Sequence, residues 1–113
     1  MNELLKQLTQ ANGVSSDEKE IRVLIRDLIE EVADEWRVDS LGNLIVTKKG
    51  TGQSDLRVLV DAHMDEVGLM ITGFDRDGTC KFMTVGGIDD RALLGKVVRV
   101  GTKKLTGVIG ARP

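Results

Sequence analysis

The segment Ala62-His63-Met64-Asp65-Glu66 gathers three side chains able to bind a metal or move a proton within four positions. It follows directly on an apolar run over residues 56–62. In open α/β sheets, ligands bind outside the carboxyl ends of the strands. Residues at i and i+2 of an extended segment point the same way, which sets His63 beside Asp65. One ring nitrogen can then face a metal while Asp65 accepts a hydrogen bond from the other. Such a carboxylate fixes the imidazole tautomer and raises the basicity of the ligating nitrogen. Glu66 reads equally as a further ligand, a base or a surface acid. A structural reading competes: a lone histidine beside acids is often a hydrogen-bonded fixture, and one imidazole begins a zinc site without defining it.

His63 is the single histidine and Cys80 the single cysteine. Schemes with two histidines, such as HExxH, are excluded within the chain, as are an internal disulfide and a multi-cysteine metal site. Three other segments invite chemistry, and each has a simpler reading. Asp39-Ser40-Leu41-Gly42-Asn43 reads as a turn in which Gly42 takes positive φ and Asn43 satisfies backbone groups. Gly86-Gly87-Ile88-Asp89-Asp90-Arg91 carries paired glycines that can form an anion nest, but no strand–GxxxxGK–helix context follows. Asp75-Arg76-Asp77-Gly78 begins like a calcium loop, fails at the later ligand positions and suffices as a hairpin turn. Cys80, placed mid-strand without a paired base, is assigned to the core. Met64, Met70 and Met83 are read as packing.

The elements that must carry these residues follow from periodicity. Leu4, Leu5 and Leu8 share a helical face over residues 2–9, and Asn12-Gly13 breaks it. Ile21, Leu24, Ile25, Leu28, Ile29 and Val32 recur at three and four, predicting an amphipathic helix over about residues 17–33. Ser15 or Ser16 is its expected N-cap, with Asp17, Glu18 and Glu20 in the first turn. Residues 44–47 predict a strand. Residues 56–62 predict a strand buried on both faces, with Asp61 as the exception. A hairpin is expected over 67–74 and 79–85, and two more strands over 94–101 and 105–109 around Lys103-Lys104. The fold class is α/β, helices first and strands afterwards. The last strand runs into Gly110-Ala111-Arg112-Pro113 with no closing element, so the sequence reads as though cut; open edges are aggregation-prone.

Composition bounds the function. The chain has 113 residues, 41% hydrophobic and 30% charged, which suits one folded domain rather than a disordered chain. Its formal net charge is −2, so it has no electrostatic footprint for nucleic acid or an anionic membrane. Trp36, Phe74 and Phe82 are its only aromatics, which makes a base-stacking surface improbable and leaves the core to Val, Leu, Ile and Met. No apolar run spans a bilayer, and the first ten residues lack a secretory stretch. A cytoplasmic location is the expectation.

Taken in order, Asp39-x-x-Gly42-Asn43, Leu59-Val60-Asp61-Ala62-His63-Met64-Asp65-Glu66-Val67-Gly68, Gly86-Gly87-Ile88-Asp89 and Gly107-Val108-Ile109-Gly110-Ala111 resemble the start of a dinuclear metallo-aminopeptidase. The family is that of the glutamyl/deblocking aminopeptidases that form tetrahedral (TET-type) particles, some of which carry an older endoglucanase label. The resemblance implies a catalytic α/β domain interrupted by an inserted β-rich, barrel-like dimerisation domain, here residues 1–68 and 69–113, both incomplete. It implies two divalent metal ions, zinc or cobalt, with His63 as a ligand and Asp65 as the catalytic-site acid that orients it. It carries over no ligand role for Glu66. Asp90 stands where many relatives place proline.

By the same resemblance the parent hydrolyses N-terminal residues of short peptides and is a homo-oligomer, dodecameric in the family. The family's bridging aspartate, general-base glutamate, other acidic ligands and final histidine lie downstream, so these 113 residues alone are expected to be inactive. The competing expectation is a truncated, non-enzymatic assembly module whose unpaired strand edges favour self-association. A calcium or phosphate binder ranks last.

Overall fold

A computed structural model describes residues 2–111; Met1 and Arg112-Pro113, into which the expected last strand runs, lie outside them. The chain divides into two compact units, with the boundary between Glu66 and Val67. The first holds two helices and one hairpin.

Helix α1 spans Glu3–Gln10, and the Asn2 side chain caps it by accepting from the Leu4 N–H at 3.1 Å. Helix α2 spans Lys19–Ile29, shorter at both ends than the periodicity predicts. At its start Ser16 has φ 76, a left-handed conformation that no helical residue shares. Asp17 closes a turn onto the Val14 carbonyl at 2.7 Å. The N-cap is therefore Glu18, which makes no side-chain capping bond. The expected cap at Ser15 or Ser16 is corrected: the Ser15 hydroxyl is committed to Asp65, and Ser16 donates its N–H to Glu18. Ile21, on the apolar stripe of α2, is buried.

Strand β1 (Glu35–Val38) pairs antiparallel with β2 (Leu44–Thr47), Trp36 opposite Val46 and Val38 opposite Leu44. The connecting turn forms where the sequence places it, with Gly42 at φ 90. The satisfying side chain is Asp39, however, rather than Asn43. Its carboxylate accepts from the backbone N–H groups of Leu41 and Asn43 and from Asn43 Nδ2, at 2.9–3.0 Å. Helix α2 is tied to this hairpin twice. Arg22 Nη1 donates to the Gly42 carbonyl at 3.0 Å, and the Arg26 guanidinium lies 5.5 Å from the centre of the Trp36 ring.

Residues 56–62 form no strand and belong to no ladder, and Leu59 and Val60 are 89% and 86% exposed. The expected strand buried on both faces is thus corrected. A parallel-type central strand is buried by neighbours on each side and helices on each face. Among the described residues no strand pairs with this one.

In the second unit, β3 (Gly68–Phe74) and β4 (Cys80–Val85) form the expected hairpin, with a bulge between Ile71 and Gly73. Gly78, at φ 85, and Asp77, which accepts from the Thr79 N–H, close its turn. Cys80 opens β4 and is exposed rather than in the core. Met70 and Met83 face each other in register and are half exposed, which also corrects their assignment to packing. A two-stranded ladder leaves its faces open unless another layer covers them.

A short 3-10 turn at Asp90–Ala92 precedes β5 (Val97–Val100) and β6 (Leu105–Val108). The β5–β6 turn uses Gly101 at φ 65 and Lys104 at φ 51. Backbone bonds between Ile109 and Lys96, and between Gly95 and Ile109, extend that pairing and bury Ile109. No helix among the described residues is long and apolar enough to cross a membrane.

Candidate metal-ligand site at His63

The site is built by two stretches of backbone that the first unit lays side by side. Residues 12–15 leave α1 and meet residues 64–66 as a short parallel bridge between Val14 and Glu66. Glu66 donates its N–H to the Gly13 carbonyl at 2.6 Å, and Ser15 donates its own to the Glu66 carbonyl at 3.4 Å. Asn12 anchors the loop to α2: its carbonyl accepts from the Ile21 N–H, and its side chain donates to Glu20. Gly13 is required here by proximity. A Cβ at that position would lie 2.9 Å from both the Met64 carbonyl oxygen and Ile21 Cγ2.

This juxtaposition brings together Ser15, Asp65 and His63. The Ser15 hydroxyl donates to Asp65 Oδ2 at 2.5 Å. Asp65 Oδ1 lies 3.0 Å from His63 Nδ1, and the Asp65 backbone carbonyl lies 3.1 Å from the same nitrogen. A backbone carbonyl can only accept. Nδ1 must therefore carry a hydrogen, and in the neutral imidazole the lone pair is then on Nε2. The ring is 86% exposed, so it is open to a ligand. The Ser15 hydroxyl first, and His63 second, hold the Asp65 carboxyl below the usual carboxylate range. It is accordingly an anionic acceptor at neutral pH.

The geometry fits one ligand of a metal ion rather than a whole centre. Among the described residues no three His, Cys, Asp or Glu side chains cluster to hold a cation. Glu66 contributes backbone to the bridge, and the residue is exposed. The other candidate segments are closed on themselves. The Asp89 carboxylate accepts from Arg91 Nη2 at 2.7 Å and from the Arg91 backbone N–H at 3.0 Å. That carboxylate turns onto Arg91 and caps the short 3-10 turn that follows. Asp75 pairs with Lys81 at 2.8 Å across the hairpin end. The residue that sequence reasoning missed is Ser15. It lies fifty positions from Asp65, and no periodicity links them.

Known proteins share this framework. A family model described as M42 glutamyl aminopeptidase matches residues 42–113. A lysyl aminopeptidase of Pyrococcus furiosus is 39% identical over 98% of this chain and 32% of its own length. The chain thus spans about a third of the length of the curated relatives it matches. Among solved structures, an endoglucanase from Thermotoga maritima superposes with a TM-score of 0.89 at 49% identity, over 96% of this chain and 34% of that one. The Pyrococcus horikoshii TET1 peptidase, which assembles into a tetrahedron or a large octahedral shell, gives 0.81 at 48% identity, over 98% and 33%. A matched family model over most of the chain, and these likenesses over nearly all of it, agree with the order of motifs around His63: the chain belongs to the M42 glutamyl aminopeptidase family.

Proposed function

We propose that these residues form the front part of a metal-dependent aminopeptidase that removes N-terminal residues from short peptides. One observation carries the reading: His63 Nδ1 is held between two acceptors of Asp65, which leaves Nε2 exposed as a ligand atom. His63 would hold one metal ion, and Asp65 is the acid that orients the ring. Two divalent ions, zinc or cobalt, supply electrophilic activation of the scissile carbonyl and of water when bound. The contribution of this chain is positional: Asp65 keeps the proton on Nδ1 and aims the ring.

The remaining ligands and the general base belong to other parts of the parent, as does residue preference at the substrate N-terminus. Residues 1–68 are assigned to its catalytic domain and residues 69–113 to the start of an inserted β-rich dimerisation domain. The exposed apolar run 56–62 supports this division, because a strand of that composition calls for sheet neighbours. A homo-oligomeric parent in the cytoplasm, resembling the assembling TET1 relative, completes the proposal. The chain by itself is inactive, since it offers a single imidazole and no cluster of three ligands among the described residues.

A chimera tests this reading. The 113 residues replace the matching third of a relative, and hydrolysis of aminoacyl-p-nitroanilides is followed with added zinc or cobalt. Metal-stimulated turnover that falls at least ~100-fold in His63→Ala, with no turnover by the chain alone, is the expected result. A folded chimera whose rate ignores His63→Ala overturns the reading. The second reading, a non-enzymatic self-associating module, draws on the same exposed apolar run. It predicts a concentration-dependent oligomer by light scattering of the isolated chain, whereas a monomer at all concentrations counts against it.

A further inference from the structure

We infer that Ser15 is a positioning residue of this site: its hydroxyl locks the Asp65 carboxylate, which in turn fixes the tautomer and aim of His63. The inference rests on the reading of His63 as a metal ligand and adds a residue to it.

The argument starts from what does not hold the histidine. Its ring is 86% exposed, so packing cannot fix its rotamers. Its orientation depends on the two acceptors of Asp65 at 3.0 and 3.1 Å. The backbone carbonyl is fixed by the chain, but the Asp65 side chain is itself 39% exposed and free to rotate unless held. Its other oxygen accepts from the Ser15 hydroxyl, at 2.5 Å. With Oδ2 taken by Ser15, the carboxylate plane is set so that Oδ1 faces Nδ1. The donor is charge-assisted, among the stronger hydrogen bonds a neutral hydroxyl can make.

The placement of Ser15 is also specified. The bridge of Val14 to Glu66 brings its backbone alongside residues 65–66, and Gly13 permits that approach by lacking a Cβ. The order of groups excludes a hydrolytic triad. There the hydroxyl sits on the imidazole and the carboxylate stands behind it. Here the hydroxyl sits on the carboxylate, on the side away from Nε2, so Ser15 is no nucleophile. It acts at one remove, as partners of ligating groups do in metal sites.

The test uses the whole chain and the single histidine as its own reporter. In mildly alkaline buffer, long-range proton–nitrogen correlation of the ring shows which nitrogen is protonated. The expected wild-type signal is the Nδ1–H form. Ser15→Ala leaves the Asp65 backbone carbonyl in place as an acceptor, so it is expected to weaken that preference, raising the share of the Nε2–H form, and to weaken zinc binding ~10-fold. Ser15→Thr keeps a hydroxyl and is expected to keep both. Ser15→Cys, a conservative change with a poor donor, is expected to shift the tautomer in the same direction as alanine, which serves should Ser15→Ala not fold. A tautomer ratio unchanged from wild type in folded Ser15→Ala or Ser15→Cys overturns the inference. Failure of zinc to perturb the wild-type ring overturns the ligand reading instead, and the tautomer comparison still decides the role of Ser15.

Discussion

Gly13 lies so close to Met64 that a methyl group on its α-carbon would sit 2.9 Å from the Met64 carbonyl oxygen. The same methyl would meet Ile21 Cγ2 at 2.9 Å, so it would be pinched between backbone on one side and a buried side chain on the other. Neither can yield cheaply. Gly13→Ala is expected to cost about 1–3 kcal/mol, the usual range for overpacking. The loss is measured as a lowered urea midpoint at unchanged slope. It should come with shifted amide signals at Asp65 and Glu66, because the Glu66 N–H to Gly13 bond must lengthen. Wild-type stability in this variant would sink the claim that the loop is clamped against residue 64.

Three residues on, Ser16 has φ 76, in the left-handed region that costs an ordinary residue roughly 1–2 kcal/mol. Glycine removes that strain but brings an unfolded-state entropy cost of roughly 0.5–1 kcal/mol. Ser16→Gly is therefore expected to stabilise the first unit by ~0.5 kcal/mol. Ser16→Val, branched at Cβ, is expected to destabilise it. The pair of urea midpoints should straddle the wild type; the reverse order contradicts the backbone assignment.

These two positions also show where sequence reasoning stops. The register of α2 was legible because a stripe from Ile21 to Ile29 at three and four has one helical solution. Its start was not, because a left-handed serine has no signature in composition. The first two hairpins were legible from turns that hold Gly42 and Gly78, both at positive φ, whereas Gly101, read as the end of a strand, opens the third turn instead. Residues 56–62 read as buried because their composition is that of a central strand, but burial depends on neighbours and the segment supplies none of its own. At the site, His63 and Asp65 were found from i and i+2 spacing. Ser15 was not, since its relation to Asp65 exists only once a loop fifty residues upstream is folded against it.

The β1–β2 turn makes a pH prediction. The side-chain amide of Asn43, and then its backbone N–H, hold the Asp39 carboxyl below its ordinary 3.8. A lowered folded-state value means that the ionised form contributes stability. That contribution is complete above 3.8 and is lost as pH falls through the lower folded value. Amide signals of Leu41 and Asn43 should hold steady from neutrality to about pH 4 and change below it. In Asp39→Asn the step should vanish. A turn that loosens well above pH 4 would assign the dependence to another group.

The second unit has its own close approach, and here a double substitution can separate two causes. Gly86 has φ 83, and a Cβ there would lie 2.7 Å from Val67 Cγ1 but 3.4 Å from Val67 Cβ. Gly86→Ala thus carries both a left-handed strain of roughly 1–2 kcal/mol and a steric clash of about 1–3 kcal/mol. Val67→Ala removes the clashing methyl. Val67 is more than half exposed, so its own truncation is expected to cost under ~1 kcal/mol. In the double variant the clash disappears while the backbone strain stays. The double should therefore be more stable than Gly86→Ala alone, and the coupling read from four urea curves should reach ~1 kcal/mol or more. Strict additivity would mean that Gly86 is required for its φ and not for the closeness of Val67.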